Sequence, residues 1–335
     1  MANSTTSPSY NECNFSTERF DQLSTNLTQS SRVTLLSFAV LNGLAALPTF
    51  MVNLLVTWTV LESPRLRSSN YNILVAILSF SDMLTGLVGQ PLFVSFSACH
   101  AWDCVISCKL KVAFSVTSVL NTRWTLATLA IVCVERYLYI HHPLKYSNKV
   151  TIQKSFITVV VSWFTVAVGA AVQKIEHKHA FFVRRLVGLT FLLPVVAIIV
   201  FCSIKMHLTL RRQRRAIAVV LPQGVASRQS KVKEFKRIDV FQIALLIFAL
   251  QYSPLVISQV FWTLKGPGLA SSLKIITSSL TVTCIYSNSL INPFLYSIRL
   301  SDIRKGVRSK LPRFRATDLA SSVVRVDINA ANRDG

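Results

Sequence analysis

The chain has 335 residues, 51% of them hydrophobic and only 15% charged, with 20 Phe, a balance that excludes an ordinary soluble domain and suits a protein solvated largely by lipid. Its net charge of +22 would suit nucleic acid, but the main cluster of cations borders long apolar stretches and neither zinc-finger spacing nor an aromatic-basic sheet pattern accompanies it. No nucleic-acid partner is expected.

In chain order, a polar tail over residues 1–31 comes first, and apolar stretches follow near 33–59, 71–97, 112–134, 155–173, 186–204, 239–262 and 270–298. Each can cross roughly 30 Å of hydrocarbon. Unpaired backbone groups in lipid cost several kcal/mol apiece, so each stretch must be helical. The expected fold is therefore all-α: a seven-transmembrane helix bundle over 32–310 that ends in a short amphipathic eighth helix, with a cytoplasmic tail over 311–335. The third stretch is the least apolar, because Lys109 and Lys111 open it and Arg123 interrupts it.

Cations set the orientation. Arg65 and Arg67 follow the first stretch, and Lys145 and Lys149 follow the third. Arg211, Arg212, Arg214, Arg215, Lys231, Lys233, Lys236 and Arg237 lie between the fifth and sixth, and Arg304, Lys305, Arg308 and Lys310 follow the seventh. These segments are expected to face the cytosol and its anionic lipids, each cation contributing about 1 kcal/mol near the surface. The segment 207–236 reads as a basic extension of the fifth helix, a turn at Pro222-Gln223-Gly224, and a second extension entering the sixth. The N-terminus is then extracellular and carries glycosylation sequons at Asn3, Asn14 and Asn26. No cleavable signal peptide is evident, so the first stretch is expected to direct insertion.

Of the seven cysteines, Cys13, Cys99, Cys104 and Cys108 fall outside or at the outer rim, where disulfides persist, and four cysteines allow three full connectivities. Cys133, Cys202 and Cys284 fall within spans as small buried residues.

An ionisable group at membrane depth is expensive and points to function. Asp82 lies mid-span, and Thr125, Asn288, Ser289 and Asn292 are candidate donors from other helices. Together they make either a structural polar network or an oxygen-rich site for a small hard cation such as sodium. No other metal or cofactor is expected. His141, His142, His177 and His179 lack carboxylates at chelating spacing, and the chain shows neither internal two-fold symmetry nor interrupted helices. Enzyme and transporter readings fall on those grounds.

Glu135-Arg136-Tyr137, Asn53, Asp82, His142-Pro143-Leu144, Trp163, Pro194, Tyr252-Ser253-Pro254 and Asn292-Pro293-x-x-Tyr296 occur in one order and spacing. In these residues the chain, from Asn53 to about Lys310, resembles the rhodopsin-like (class A) G-protein-coupled receptors. The resemblance implies a latch in which Arg136 pairs with Glu135 and with Glu234 at the inner end of the sixth helix. Tyr137 and Tyr296 accompany this switch, and Pro254 and Pro293 kink their helices where a displacement is amplified. It further implies a plasma-membrane protein whose partners are a heterotrimeric G protein, arrestin, membrane lipids and a diffusible extracellular ligand.

The chain also departs from the family. Residues 173–182 contain no Cys, so the customary outer disulfide cannot form; Tyr252 stands for the usual Trp, Cys202 for the fifth-helix Tyr and Ile303 for the eighth-helix Phe. No Cys follows the seventh helix, so the common palmitoyl anchor is absent. Ser118 stands where amine receptors carry Asp, and Tyr286 where opsins carry the retinal-binding Lys.

The ligand pocket is expected at Ser118, Val119, Thr122, Arg123, Tyr252 and Tyr286. Arg123 follows Ser118, Val119 and Thr122 around one side of the third helix, and no acid lies in the outer half of any span. A ligand carboxylate or phosphate is one partner for it; the alternative is that Arg123 snorkels or bonds helix carbonyls. The expected function is transduction of an extracellular ligand, an anionic small molecule or lipid, to G proteins. Peptide and divergent amine receptors, or a receptor-like protein with weak output, remain alternatives.

Overall fold

A computed structural model describes residues 27–104, 106–175, 181–220, 226–265, 271–299 and 301–310. Seven long helices run α1 Gln29–Glu62, α2 Asn70–Ala101, α3 Cys108–His141, α4 Ile152–Ile175, α5 Phe181–Val220, α6 Ala226–Lys265 and α7 Ser271–Arg299, followed by the short α8 Ser301–Lys310. Single short helices at Pro64–Arg67 and Pro143–Lys149 join α1 to α2 and α3 to α4. Six of the seven long helices outrun their apolar stretches, and α7 matches the length of its own, displaced by one residue. The expected extensions of the fifth and sixth stretches are present, since α5 runs to Val220 and α6 starts at Ala226.

Local chemistry sets several boundaries. Thr28 caps α1 by accepting the Ser31 amide at 3.2 Å, and Ser107 caps α3 by accepting that of Leu110 at 3.3 Å. Within α2 the turn Thr85–Gly89 widens to a π-helix just before Pro91. A proline ring would press on the carbonyl four residues back and offers no donor, and one extra residue in the turn relieves both faults. At Gly86 the backbones of α1 and α2 touch: a Cβ there would lie 2.6 Å from the Phe50 nitrogen and 2.8 Å from the Ala46 oxygen.

The bundle closes as a ring. α1 packs on α2 and α7, α7 on α6, α6 on α5, and α3 runs centrally against α2, α4 and α5. α8 lies on the end of α1, where Ile303 is fully buried, and Lys310 pairs with Glu62 and covers Trp58. Burial is distributed as lipid solvent requires. Leu44, Leu47, Phe164 and Leu264 are exposed, whereas Asn53, Ser79, Asp82 and Gln90 have no exposure.

Among the described residues six helices are long and apolar enough to cross a membrane, and α3 is the least apolar of the six. The seventh, α7, is 29 residues long but buries Ser278, Ser279, Thr281, Asn288, Ser289 and Asn292 in the bundle. Its polarity serves the interior rather than the lipid.

Candidate functional site

Two polar constellations occupy the bundle, one at mid-depth and one at the end that carries Glu135-Arg136-Tyr137. At mid-depth, α2 and α7 meet through Asp82. The Ser289 hydroxyl donates to its Oδ1 at 2.7 Å and the Asn292 amide to its Oδ2 at 2.8 Å, so each oxygen of this fully buried carboxylate has a donor. α1 joins through Asn53, whose amide donates to the Ser289 carbonyl at 2.9 Å and to that of Thr49 at 2.8 Å.

The expected cluster is therefore only partly assembled around Asp82. Thr125 meets Ser81 at 3.5 Å, and the Asn288 side-chain nitrogen has no hydrogen-bond partner. Further up, Asn121 Nδ2 and the Tyr286 hydroxyl converge on Gly89, where a Cβ would stand 3.0 and 3.1 Å from them; both atoms, like the amide of Gln90, are buried without a protein partner. Such groups hold water or ligand polar atoms in native interiors. Gly86-Leu-Val-Gly89 before Pro91 was the one local signal of this irregular turn.

At the other constellation Arg136 folds back on its neighbour. Its Nε lies 2.5 Å from Glu135 Oε2 and its Nη2 2.6 Å from Oε1, a two-pronged contact. The Tyr146 hydroxyl, on the helix Pro143–Lys149, donates to the same Oε1 at 2.6 Å, and Asn70 approaches it at 3.5 Å. The guanidinium lies over the Tyr71 ring, 4.0 Å from its centre, and 5.0 Å from that of Tyr139. Burial and the hydrogen bond to Glu135 push the Tyr146 phenol up to about 12, so it stays protonated through the physiological range. Tyr137 packs on His141 and on Phe201 of α5. Sequence reasoning named Glu135, Arg136 and Tyr137 but missed Tyr146 and Asn70, which no helical period connects to them.

The expected pocket residues are dispersed. Ser118 donates to the Phe114 carbonyl and Thr122 to that of Ser118, both at 2.7 Å, so these hydroxyls turn onto their own helix. Val119 is half-buried, as is Arg123, whose guanidinium lies 5.6 Å from the ring centre of Phe191 on α5. Tyr252 is buried and stacked on Phe248 at 4.2 Å, whereas Tyr286 meets Phe93 edge-on at 6.2 Å. Gln251 donates to Ser287 at 3.0 Å, fastening α6 to α7 close to Pro254. Pro293 lies inside α7, next to Asn292.

Several expectations fall outside what is described: Asn3, Asn14, Asn26 and Cys13, together with the side chains of Glu234 and Tyr296. Cys99 is bonded to Cys104 and Cys108 is also disulfide-bonded, while Cys133, Cys202 and Cys284 are in no disulfide. No group of three or more metal-ligating side chains of the His, Cys, Asp and Glu kind occurs among the described residues.

Residues 52–296 match the family model of the 7 transmembrane receptor (rhodopsin family). Trace amine-associated receptor 9 of Homo sapiens is 29% identical over 294 residues, covering 78% of this chain and 80% of that receptor. Neuropeptide Y receptor type 4 of Rattus norvegicus is 26% identical over 308 residues, 78% of each chain. The matched region holds both constellations, with Asp82 bound to the Asn292 of Asn-Pro and Arg136 bound to its neighbouring acid, and the chain belongs to the rhodopsin family of seven-transmembrane, G-protein-coupled receptors.

Proposed function

We propose that the protein is a plasma-membrane receptor, amino end outside, that couples recognition of a diffusible anionic small molecule or lipid to a heterotrimeric G protein. The observation that carries the signalling half is the Glu135–Arg136 pair held by Tyr146. An exposed ion pair would count for little, but this one is nearly enclosed, with Glu135 at 3% side-chain exposure and Arg136 at 13%. Ligand binding favours an arrangement in which α6 swings outward and Arg136 leaves its acid, so that a helix of the G protein enters. The cationic ends of α5 and α6 favour that side as the cytoplasmic one, where they meet G protein, arrestin and anionic lipid.

Support for an anionic ligand comes from Arg123, a half-buried guanidinium beside Phe191 of α5, whose planar fork suits a carboxylate or phosphate. The two relatives bear the names of an amine-associated and a peptide receptor, so peptide recognition stands as the second reading; Ser118, in place of the amine-binding Asp, disfavours a simple amine. At Asp82, carboxylate and hydroxyl oxygens form a donor set that fits a sodium ion, with Asp82 and Ser289 as its holders.

The test is G-protein activation in cells expressing the chain, screened against pooled carboxylates, phosphates, lipids, amines and short peptides. Arg136→Ala, confirmed at the cell surface, serves as the matched control. A response lost in the control and confined to anions supports the reading; a response carried by peptides or amines replaces the ligand class, and one that survives Arg136→Ala overturns the latch.

A further inference from the structure

The cysteine inventory leaves one bond to be completed. The chain has seven cysteines. Cys99 and Cys104 are joined to each other, Cys133, Cys202 and Cys284 are in no disulfide, and Cys108 is disulfide-bonded. The segment 173–182, which would supply the customary partner for a cysteine at the start of α3, contains none.

We infer that Cys108 is bonded to Cys13 of the amino-terminal tail, so that the tail, rather than the loop after α4, is tied covalently to the start of α3. A second observation brings the tail to the right place. Arg32 of α1 donates to the Ala101 carbonyl at 2.9 Å, pairs with Asp103, and also approaches the Leu27 carbonyl at 3.5 Å. The tail therefore joins the bundle beside the α2–α3 connection. Asp103 takes a left-handed conformation there, with φ of 52°, in the short loop that Cys99–Cys104 closes.

Reach is ample. Cys108 lies five residues beyond Asp103 and Cys13 fourteen before Leu27, and at about 3.5 Å per extended residue fourteen residues can reach at most roughly 49 Å, against at most about 18 Å for the connection. Charge agrees as well, since Glu12 precedes Cys13 and Lys109 and Lys111 follow Cys108.

Formation of the bond removes two protons and two electrons from the Cys13 and Cys108 thiols. The acceptor is the active-site disulfide of a thiol–disulfide oxidoreductase in the secretory lumen, which is reduced to a dithiol. The inference rests on the outward-facing amino end proposed above.

The full-length receptor, with an epitope tag at its amino end and a site-specific protease site inserted between Asp21 and Gln22, tests both and separates them. Antibody labelling of intact cells reports orientation; a tag reached only after permeabilisation overturns the orientation and the bond together. With thiols blocked by N-ethylmaleimide and the protease applied, the wild-type tag should stay attached to the receptor on a non-reducing gel and come away with dithiothreitol. Cys13 is the only cysteine before the cut, so release from the labelled wild type without reductant overturns the bond while leaving orientation intact. Cys13→Ser and Cys108→Ser should each free the tag without reductant. Retention in Cys108→Ser would assign Cys13 another partner and overturn the inference. Where a variant fails to reach the surface, peptide mapping of the non-reduced wild type decides: a disulfide-linked pair of peptides holding Cys13 and Cys108 confirms the bond, and Cys13 joined to any other cysteine overturns it.

Discussion

Tyr146 donates its phenol to Glu135 at 2.6 Å, reaching the carboxylate oxygen that also receives Arg136 Nη2 at 2.6 Å. The loop helix Pro143–Lys149 thereby shares an acceptor with Arg136, the arginine of the proposed latch. A hydrogen bond to a charged group contributes about 1.5–3 kcal/mol, and one present only in the closed arrangement biases the equilibrium towards it. Tyr146→Phe should therefore raise ligand-independent G-protein activation roughly tenfold at equal surface expression, with the maximal agonist response retained. Unchanged basal signalling would remove Tyr146 from the latch.

The same phenol gives a pH expectation. Its folded-state pKa is raised from 10.0 to about 12, so its contribution to stability is whole below pH 10 and lost only as pH rises through about 12. Basal signalling set by Tyr146 should be flat between about pH 6 and 9. A basal rise across that window that Tyr146→Phe abolishes would show the phenol ionising much earlier.

Asp82 carries the ion expectation. Asp82→Asn keeps the size and one of the two acceptor oxygens that receive Ser289 and Asn292, while removing the charge a sodium ion needs. In the wild type, replacing N-methylglucamine by sodium at constant ionic strength should lower agonist affinity by about 5-fold or more, the usual scale of allosteric coupling. The variant should show no difference between the two salts; an equal sodium effect in both proteins would leave Asp82 a structural acceptor only.

Much of this arrangement was legible because its residues sit at helical spacing with one costly group apiece. A carboxylate amid apolar residues requires donors, which Ser289 and Asn292 of the seventh stretch supply, and the Glu135-Arg136 neighbours already held their own pairing. The parts that stayed hidden depend on three-dimensional approach. Tyr146 reaches Glu135 from a separate short helix, Asn121 and Tyr286 converge only because Gly89 lacks a Cβ, and Ser118 and Thr122 satisfy their hydroxyls on carbonyls four residues back. Hydropathy singled out the third stretch as doubtful, yet α7 proved more polar, since Ser and Asn facing a bundle interior look the same in composition as Ser and Asn facing water.

Arg123 separates the anion reading from a structural one. Its guanidinium already covers Phe191, so an alanine there loses packing as well as charge. Against a carboxylate agonist Arg123→Ala should cost about 1.5–3 kcal/mol, a loss of roughly tenfold to a hundredfold in potency, and against the matching neutral amide much less. Arg123→Lys, which keeps the charge but not the planar fork, should recover part of the difference. Equal losses for both ligands would make Arg123 a packing residue.

The contact between α1 and α8 is tight enough to be tested by a single methyl. A Cβ on Gly306 would lie 2.3 Å from the Cγ2 of Thr59, with the Thr59 Cβ at 3.7 Å and Oγ1 at 3.9 Å in ordinary contact. Thr59 is buried and β-branched, so turning Cγ2 away exchanges one substituent for another. α8 has little room to retreat, because Ile303 is buried on one side of Gly306 and Lys310 is paired with Glu62 on the other. Gly306→Ala should therefore destabilise the detergent-solubilised receptor by about 1–3 kcal/mol, seen as a lowered Tm. Thr59→Ser removes only the offending methyl, and in combination with Gly306→Ala it should restore most of the lost Tm. Losses that simply add in the double variant would mean that the cost of the alanine arises elsewhere, since residues in direct contact are the ones expected to couple.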